Sequence, residues 1–190
     1  FRPGHAVRGT EMLSLADVEA ARERIDGVVR WTPLEDSYTF SEMTGADVHL
    51  KLETFQRTGA FKLRGATNRI ATLSDAERDA GVVTASAGNH AQGVSLAASR
   101  AGVDAKIVMP EHAPVSKVKA TEYYGGEVVL HGIDYDEAET RAHEIAGEEG
   151  RTYVHAFDDP DVMAGQGTIG LEIAEDCPEV DTVVVPIGGG

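Results

Sequence analysis

Residues 82–110 read VVTASAGNHAQGVSLAASRAGVDAKIVMP and carry the clearest pattern of secondary structure in the chain. A short run with β-branched residues (82–86) precedes a helix predicted over 88–101, and a second apolar run follows at 105–110. A strand, a helix and a second strand in this order predict a βαβ unit with parallel strands. Short apolar runs of this kind are typical of strands that are covered on both faces. The stretch therefore predicts an α/β fold built on a parallel sheet.

The alternation of strands and helices continues after this unit. Two further strand-like runs follow at 127–132 and 152–157, and between them an acidic surface helix is predicted over 134–150. A helix predicted over 116–125 ends at a glycine pair, a common stop signal. The pattern thus predicts four parallel strands that are connected by helices.

Elements before and after this region have their own start signals. Ser14 is a predicted helix cap followed by apolar residues at helical spacing, and residues 159–160 place an Asp cap before a proline. Residues 47–53 alternate as a half-buried strand does, and a helix is predicted over 61–73. The last run, DTVVVPIGGG at 181–190, predicts another buried strand that leads into glycines.

The charge of the chain limits its partners. Its 190 residues include 32 acidic and 17 basic side chains, for a formal net charge of -15. This charge repels phosphates, so no nucleic acid is expected to bind. A solvated acidic surface, as in proteins adapted to high salt, is the simplest interpretation, and a cation-binding role is the alternative.

No apolar run approaches about 18 residues, so no membrane span is expected. The single cysteine, Cys177, fits a reducing compartment and predicts a cytoplasmic protein.

Acidic residues are missing from two windows, 54–74 and 80–103. The first window holds four cations: Arg57, Lys62, Arg64 and Arg69. We interpret it as facing an anionic group, and burial of a charge-poor element is the alternative. In the second window, burial and function explain the lack of acids equally well.

Lys62 lies in the stretch TGAFKLRGA at 58–66. In the first turn of a helix it meets the positive end of the helix dipole, and partial burial beside apolar neighbours favours the neutral amine. Two nearby arginines, Arg57 and Arg64, add like charge. All three effects lower the pKa of the lysine, and a neutral lysine is the form that attacks a carbonyl. A solvated surface lysine is the alternative.

Two further loops offer backbone donors. SAGNHAQG at 86–93 opens a helix with small residues, which suits an anion such as a substrate carboxylate, or else tight strand-to-helix packing. PIGGG at 186–190 suits a phosphate group, or else a tight turn. The histidines are scattered without the spacing of metal ligands, so no metal site is expected.

Six segments together resemble the threonine dehydratase and serine racemase branch of the fold-type II pyridoxal-phosphate enzymes. They are TPLEDS (32–37), KLETFQRTGAFKLRGA (51–66), SAGNHAQGVS (86–95), MPEHAPVSKVKATEYYGGEVVLHG (109–132), AGQGTIGLEI (164–173) and VPIGGG (185–190). They follow the order of that family over nearly the whole chain. The resemblance implies an α/β fold of two open twisted parallel-sheet domains, and pyridoxal 5'-phosphate as the cofactor.

The resemblance also implies residues that bind this cofactor. Lys62 matches the lysine that forms the covalent bond with its aldehyde and later removes the substrate α-proton. Phe61 matches the aromatic residue beside the cofactor ring, and Asn89 matches the asparagine that hydrogen-bonds the 3-oxygen. Three glycines match most of the phosphate-binding loop: Gly188, Gly189 and Gly190.

The substrate loop of the family matches five residues here: Ser86, Ala87, Gly88, Asn89 and His90. The resemblance implies that they receive the substrate carboxylate. At Ala87, serine racemases carry a serine that acts as acid and base on the face opposite the lysine, and alanine lacks this group. The resemblance therefore implies β-elimination from L-threonine or L-serine, which gives a 2-oxo acid and ammonia, as in isoleucine biosynthesis. The alternatives are a serine racemase, a hydroxyaspartate dehydratase or an inactive fragment of such an enzyme.

The resemblance divides the chain into two domains. Residues 1–75 and 156–190 are expected in a larger cofactor-binding domain, and residues 76–155 in a smaller domain with four strands. A strand that enters glycines should continue into a helix, so the chain is expected to be truncated in the larger domain. The full-length protein is expected to bind a small amino-acid substrate and to form a homo-oligomer, a dimer or a tetramer.

Overall fold

The structure, a computed structural model, describes residues 13–188. The helices are α1 (Leu15–Ile25), α2 (Tyr38–Thr44), α3 (Lys62–Ala71), α4 (Asp75–Ala80), α5 (Asn89–Ala101), α6 (Val115–Tyr123), α7 (Tyr135–Glu149) and α8 (Pro160–Asp176), with a 3-10 turn at Glu53–Phe55. The strands are β1 (Leu34–Asp36), β2 (His49–Lys51), β3 (Val82–Ala85), β4 (Ala105–Met109), β5 (Glu127–Leu130) and β6 (Thr152–Tyr153). Within the described residues, no helix has both the length and the apolar content needed to cross a membrane.

Four strands form the predicted parallel sheet, in the order β5-β4-β3-β6. Val82 pairs with Ala105 on one side and with Thr152 on the other, so β3 and β4 are central. Every residue of β3 is buried, as expected for a strand that is covered on both faces. The predicted strand-helix alternation is confirmed, although β6 is shorter than the run at 152–157.

The two faces of this sheet pack into separate cores. On one face, Val82 and Ile107 pack with Leu63 of α3 and Val94 of α5. On the other face, α7 covers Val83 and its neighbours. The charge-poor window 80–103 forms β3 and the largely buried α5, so burial accounts for the lack of acidic residues in these two elements. The loop 86–88 between them is not buried.

The predicted helix starts are present. The predicted cap Ser14 opens α1 in a capping box with Asp17. The structure adds a second capping box, Ser74 with Glu77, at the start of α4. Asp159 accepts hydrogen bonds from the first backbone N–H groups of α8, whose first residue is a proline. These caps fix the first turns of α1, α4 and α8.

Helices α3 and α8 cross at a contact between glycines. A Cβ atom on Gly165 would lie 2.6 Å from the Arg64 carbonyl oxygen and from the Gly65 Cα atom, and a Cβ atom on Gly65 would lie 2.6 Å from the Val162 carbonyl oxygen. No side chain fits at this distance, so the crossing requires glycine on both helices. The crossing holds α8 against the helix that begins with Lys62.

The prediction of a buried strand at 181–190 is wrong for its described part. Residues 181–187 are irregular and exposed, and Val184 is 90% exposed. The run lies along a groove beside β2, but within residues 13–188 no strand pairs with it. Backbone N–H and C=O groups without a strand partner need water, and the exposure of this run provides it. Outside the four-stranded sheet, the described residues contain one antiparallel pair, β1 with β2.

An ion cluster is buried where the 3-10 turn, α3 and α8 meet. Arg64 is fully buried, with Nη2 2.7 Å from Glu53 Oε1 and Nη1 2.5 Å from Glu172 Oε1. Similarly, Arg69 Nε lies 3.1 Å from an Asp159 carboxylate oxygen. Arg64 and Arg69 therefore do face anionic groups, as predicted, but these groups are carboxylates of the protein. The prediction that they face an anionic ligand is wrong for these two residues.

Candidate active site

Lys62 is the first residue of α3 and is half-buried. Its Nζ atom donates a hydrogen bond to the Ala156 carbonyl oxygen at 2.6 Å and lies 5.3 Å from the centre of the Phe61 ring. Burial lowers the pKa of the Lys62 amine below its ordinary value of 10.5. The expected effect of like charge from Arg64 is wrong, because two carboxylates balance that arginine. Burial leaves an amine that loses its proton more readily than a surface lysine does.

The loop between β3 and α5 presents free backbone donors. Ser86 Oγ accepts a hydrogen bond from the Gly88 N–H at 3.2 Å, which closes a tight turn. No side chain caps α5, and within residues 13–188 the N–H groups of Ala87, Asn89 and His90 find no acceptor. The Asn89 side chain is exposed at the first helical position. Free N–H groups at the positive end of a helix dipole favour an anion.

His90 is buried rather than open to solvent, with 4% of its surface exposed. Its Nε2 atom lies 3.1 Å from the Val154 carbonyl oxygen. Because a carbonyl oxygen only accepts, Nε2 carries the proton and Nδ1 is a bare acceptor. Burial lowers the pKa of His90 to about 4, and the charges of Lys62 and His155 act in the same direction, so the ring is neutral near pH 7. Within the described residues Nδ1 has no partner.

Gly93 allows α5 to approach Lys62 closely. A Cβ atom on Gly93 would lie 3.1 Å from the Lys62 carbonyl carbon and 3.1 Å from the Leu63 nitrogen. The predicted lysine and the predicted loop at 86–90 are therefore brought together by this close backbone contact. The sequence does not predict this contact of Gly93. Its only signal there is a glycine inside a helical pattern.

The residues of the site fit an anionic cofactor that carries an aldehyde. A half-buried amine with a lowered pKa suits the aldehyde, and the exposed amide of Asn89 suits a hydrogen bond to a ring oxygen. Gly188 is the last described residue and is exposed, and Gly189 and Gly190 lie outside the described residues. The phosphate-binding role of these three glycines stays a prediction, as do the individual roles in the loop 86–90.

Comparison with known proteins identifies the class of this protein. Residues 25–190 match the family model described as "Pyridoxal-phosphate dependent enzyme". The chain belongs to this family. The predicted fold class and the predicted cofactor, pyridoxal 5'-phosphate, are thereby confirmed.

Curated relatives narrow the branch of the family. The L-threonine ammonia-lyase of Thermotoga maritima is 53% identical over 179 residues, which cover 94% of this chain and 45% of that protein. The L-threonine dehydratase catabolic TdcB of Escherichia coli K12 is 51% identical over 178 residues, which cover 94% of this chain and 54% of that protein. The chain spans about half the length of the curated relatives it matches.

Solved structures agree with this branch. The processed form of threonine deaminase isoform 2 from Solanum lycopersicum has a TM-score of 0.87 and 45% identity, and the match covers 93% of this chain and 48% of that chain. Maize serine racemase has a TM-score of 0.90 and 40% identity, with 93% of this chain and 54% of that chain covered. The predicted branch, threonine dehydratase and serine racemase, is confirmed. The domain bounds at 75/76 and 155/156 stay a prediction.

Proposed function

We propose that this chain supplies the catalytic lysine of a threonine ammonia-lyase, an enzyme that removes the hydroxyl group and the amine of L-threonine, and of L-serine. The products would be ammonia and 2-oxobutanoate or pyruvate. The observation that carries the proposal is the half-buried Lys62 amine, held beside the free N–H groups that open α5. The names of the relatives at about half identity support the same activity.

Each residue of the site would have a separate role in the proposed reaction. Pyridoxal phosphate, when bound, supplies an electron sink for the charge that develops at the substrate α-carbon. Lys62 would remove the α-proton, because its lowered pKa brings the neutral amine closer to working pH. The backbone N–H groups of Ala87 and Asn89 would bind the substrate carboxylate. The Asn89 side chain would hold the 3-oxygen of the cofactor, and Phe61 would lie beside its ring.

A product assay tests this proposal. Full-length protein loaded with pyridoxal phosphate should release 2-oxobutanoate and ammonia in equal amounts from L-threonine. L-2-Aminobutanoate is the matched control, because it lacks the hydroxyl leaving group and should release no ammonia by this route. A loaded enzyme that forms neither product from L-threonine or L-serine would refute the proposed activity. Product from L-threo-3-hydroxyaspartate alone would favour the hydroxyaspartate dehydratase.

The serine racemase alternative makes a prediction at Ala87. The variant Ala87→Ser should raise conversion of L-serine to D-serine by roughly tenfold or more, because a positioned acid or base typically contributes at least that much. Ala87→Gly is the control, since it changes the same position without adding a hydroxyl group. D-serine is measured by chiral chromatography beside pyruvate. Equal D-serine formation by the unmodified enzyme and by both variants would contradict the role we give to Ala87.

A further inference from the structure

The chain that follows β6 contacts both His90 and Lys62. We call residues 154–156 the β6 extension. The Val154 N–H donates to the Val83 carbonyl at 2.9 Å, which continues the β3-β6 pairing beyond the strand. The Val154 carbonyl oxygen accepts twice, from Thr84 Oγ1 at 2.8 Å and from His90 Nε2 at 3.1 Å. Val154 is fully buried, so these bonds form away from solvent.

Two residues later, the same extension holds the reactive amine. The Ala156 carbonyl oxygen accepts the hydrogen bond from Lys62 Nζ at 2.6 Å. A carbonyl group that accepts from an ammonium stabilises its charged form, while burial opposes it. The position of the Ala156 carbonyl therefore affects both the direction and the proton affinity of the amine.

We propose that Thr84 and His90 are positioning residues, which together fix the β6 extension and thereby the Ala156 carbonyl that holds Lys62 Nζ. This role differs from the one implied by the resemblance, in which the loop including His90 receives the substrate carboxylate. The Nε2 proton of His90 is already donated to Val154, and Nδ1 has only a lone pair. An ionised carboxylate has no proton to donate to Nδ1. The backbone N–H groups of the loop would therefore bind the substrate carboxylate without the His90 side chain.

Thr84 distinguishes a positioning role of His90 from direct binding of the substrate. It is fully buried on β3, and its hydroxyl group donates to the same carbonyl oxygen as His90 does. A threonine buried inside the sheet cannot bind the substrate directly, and the contact that it shares with His90 is the Val154 carbonyl oxygen. The inference rests on the proposed function only in taking Lys62 as the reacting amine.

The first experiment measures the pKa of Lys62 without cofactor or substrate. Full-length protein labelled with 13C-lysine is titrated by NMR, and the Lys62 signal is assigned by its loss in Lys62→Arg. Thr84→Val and His90→Met should each lower the pKa of Lys62 by about half a pH unit or more, because the ammonium loses a well-placed acceptor. The double variant should lower it little further, since both changes act on one carbonyl.

Conservative variants serve as matched controls. Thr84→Ser keeps the hydroxyl group, and His90→Gln places an N–H donor near the position of Nε2. Both should give a pKa of Lys62 closer to that of the unmodified protein than their apolar counterparts do. Circular dichroism checks folding, and if one pair of variants fails to fold, the other pair decides the result. The charged neighbours of His90 that must be followed in the same titration are Lys62 and His155.

Kinetics on the loaded enzyme give the second comparison. If Thr84 and His90 act by positioning the Ala156 carbonyl, Thr84→Val and His90→Met should both lower kcat and shift its pH profile. The KM for L-threonine should change by less than about twofold. A raised KM in His90→Met alone, with an unchanged pKa of Lys62, would overturn the proposal and make His90 a substrate ligand. Unchanged pKa values in both variants would also overturn it. If no elimination occurs but the pKa changes are found, the positioning role stands and the proposed function fails.

Discussion

Replacing Lys62 with alanine is expected to abolish the visible absorbance band of bound pyridoxal phosphate and to slow 2-oxobutanoate formation by about a thousandfold or more. The reason is the placement of the amine. Lys62 Nζ is half-buried at the start of α3, hydrogen-bonded to the Ala156 carbonyl, and its pKa is lowered by burial. Absorbance spectra and product assays on the full-length protein measure the two effects.

A surface lysine gives the matched control. Lys119 is exposed on α6, and Lys119→Ala should keep both the absorbance band and the rate. A Lys62→Ala protein that retains the band of lysine-bound cofactor would contradict the assignment of this residue. Loss of the band in both variants would point to a general loss of folding instead.

Replacing Arg64 with methionine is expected to lower the free energy of unfolding by about 3–5 kcal/mol, because it removes the cation that Glu53 and Glu172 share and leaves Glu172 with Lys51 alone. Arg64 is fully buried between Glu53 and Glu172, and Lys51 Nζ also lies 2.8 Å from Glu172. Methionine keeps much of the side-chain volume, so the loss is mainly electrostatic. Urea unfolding followed by circular dichroism measures the change through the midpoint and the slope.

The stability loss in Arg64→Met should depend on pH, because Glu172 in the same cluster is titratable. Burial alone would raise the pKa of Glu172, but its hydrogen bonds with Arg64 and Lys51 lower the pKa below the ordinary 4.5. A lowered folded-state pKa means that this stabilisation is present above about pH 4.5 and is lost as the pH falls through the folded-state value. In Arg64→Met, Glu172 keeps only Lys51 as a charged partner, so its pKa should be lowered less than in the unmodified protein. The stability deficit of the variant should therefore be smaller near pH 4 than near pH 7.

Arg141 on α7 is the control for the cluster. Its partners Glu144 and Glu148 have side chains that are 53% and 59% exposed. Arg141→Met should change stability very little, because solvent screens exposed ion pairs. Equal midpoints for the Arg64 and Arg141 variants, or a deficit in Arg64→Met that does not vary with pH, would contradict the predicted energetics.

Much of the fold could be predicted because its signals are local. A cap such as Ser14 with Asp17, or Asp159 before a proline, fixes a helix start within four residues of chain. The strands β3 and β4 are apolar runs of the expected length, and their buried positions follow. Helix α2 was missed although Ser37 caps it and Gly45 ends it at φ 72°. None of its residues is buried, so it lacks the apolar periodicity on which a helix prediction depends.

The contacts that complete the site depend on long-range geometry. Arg64 and Glu172 are 108 positions apart, so no local pattern could show that the charge-poor window meets protein carboxylates. His90 was expected in the substrate loop, and only the structure shows its ring directed at Val154. The run at 181–187 failed as a strand for the same reason, because a strand prediction assumes a partner that the local sequence does not specify.

The hydrogen bond between Lys62 and Ala156 closes a span of 94 positions. During synthesis on a ribosome, α3 emerges well before the β6 extension does, and the entropy of closing this long loop must be overcome before the amine is held. Until Ala156 has left the exit tunnel, the lysine has no carbonyl to bond and remains open to solvent. The hydrogen bond that holds the amine therefore forms only after residue 156 has been synthesised, late in the folding of this chain.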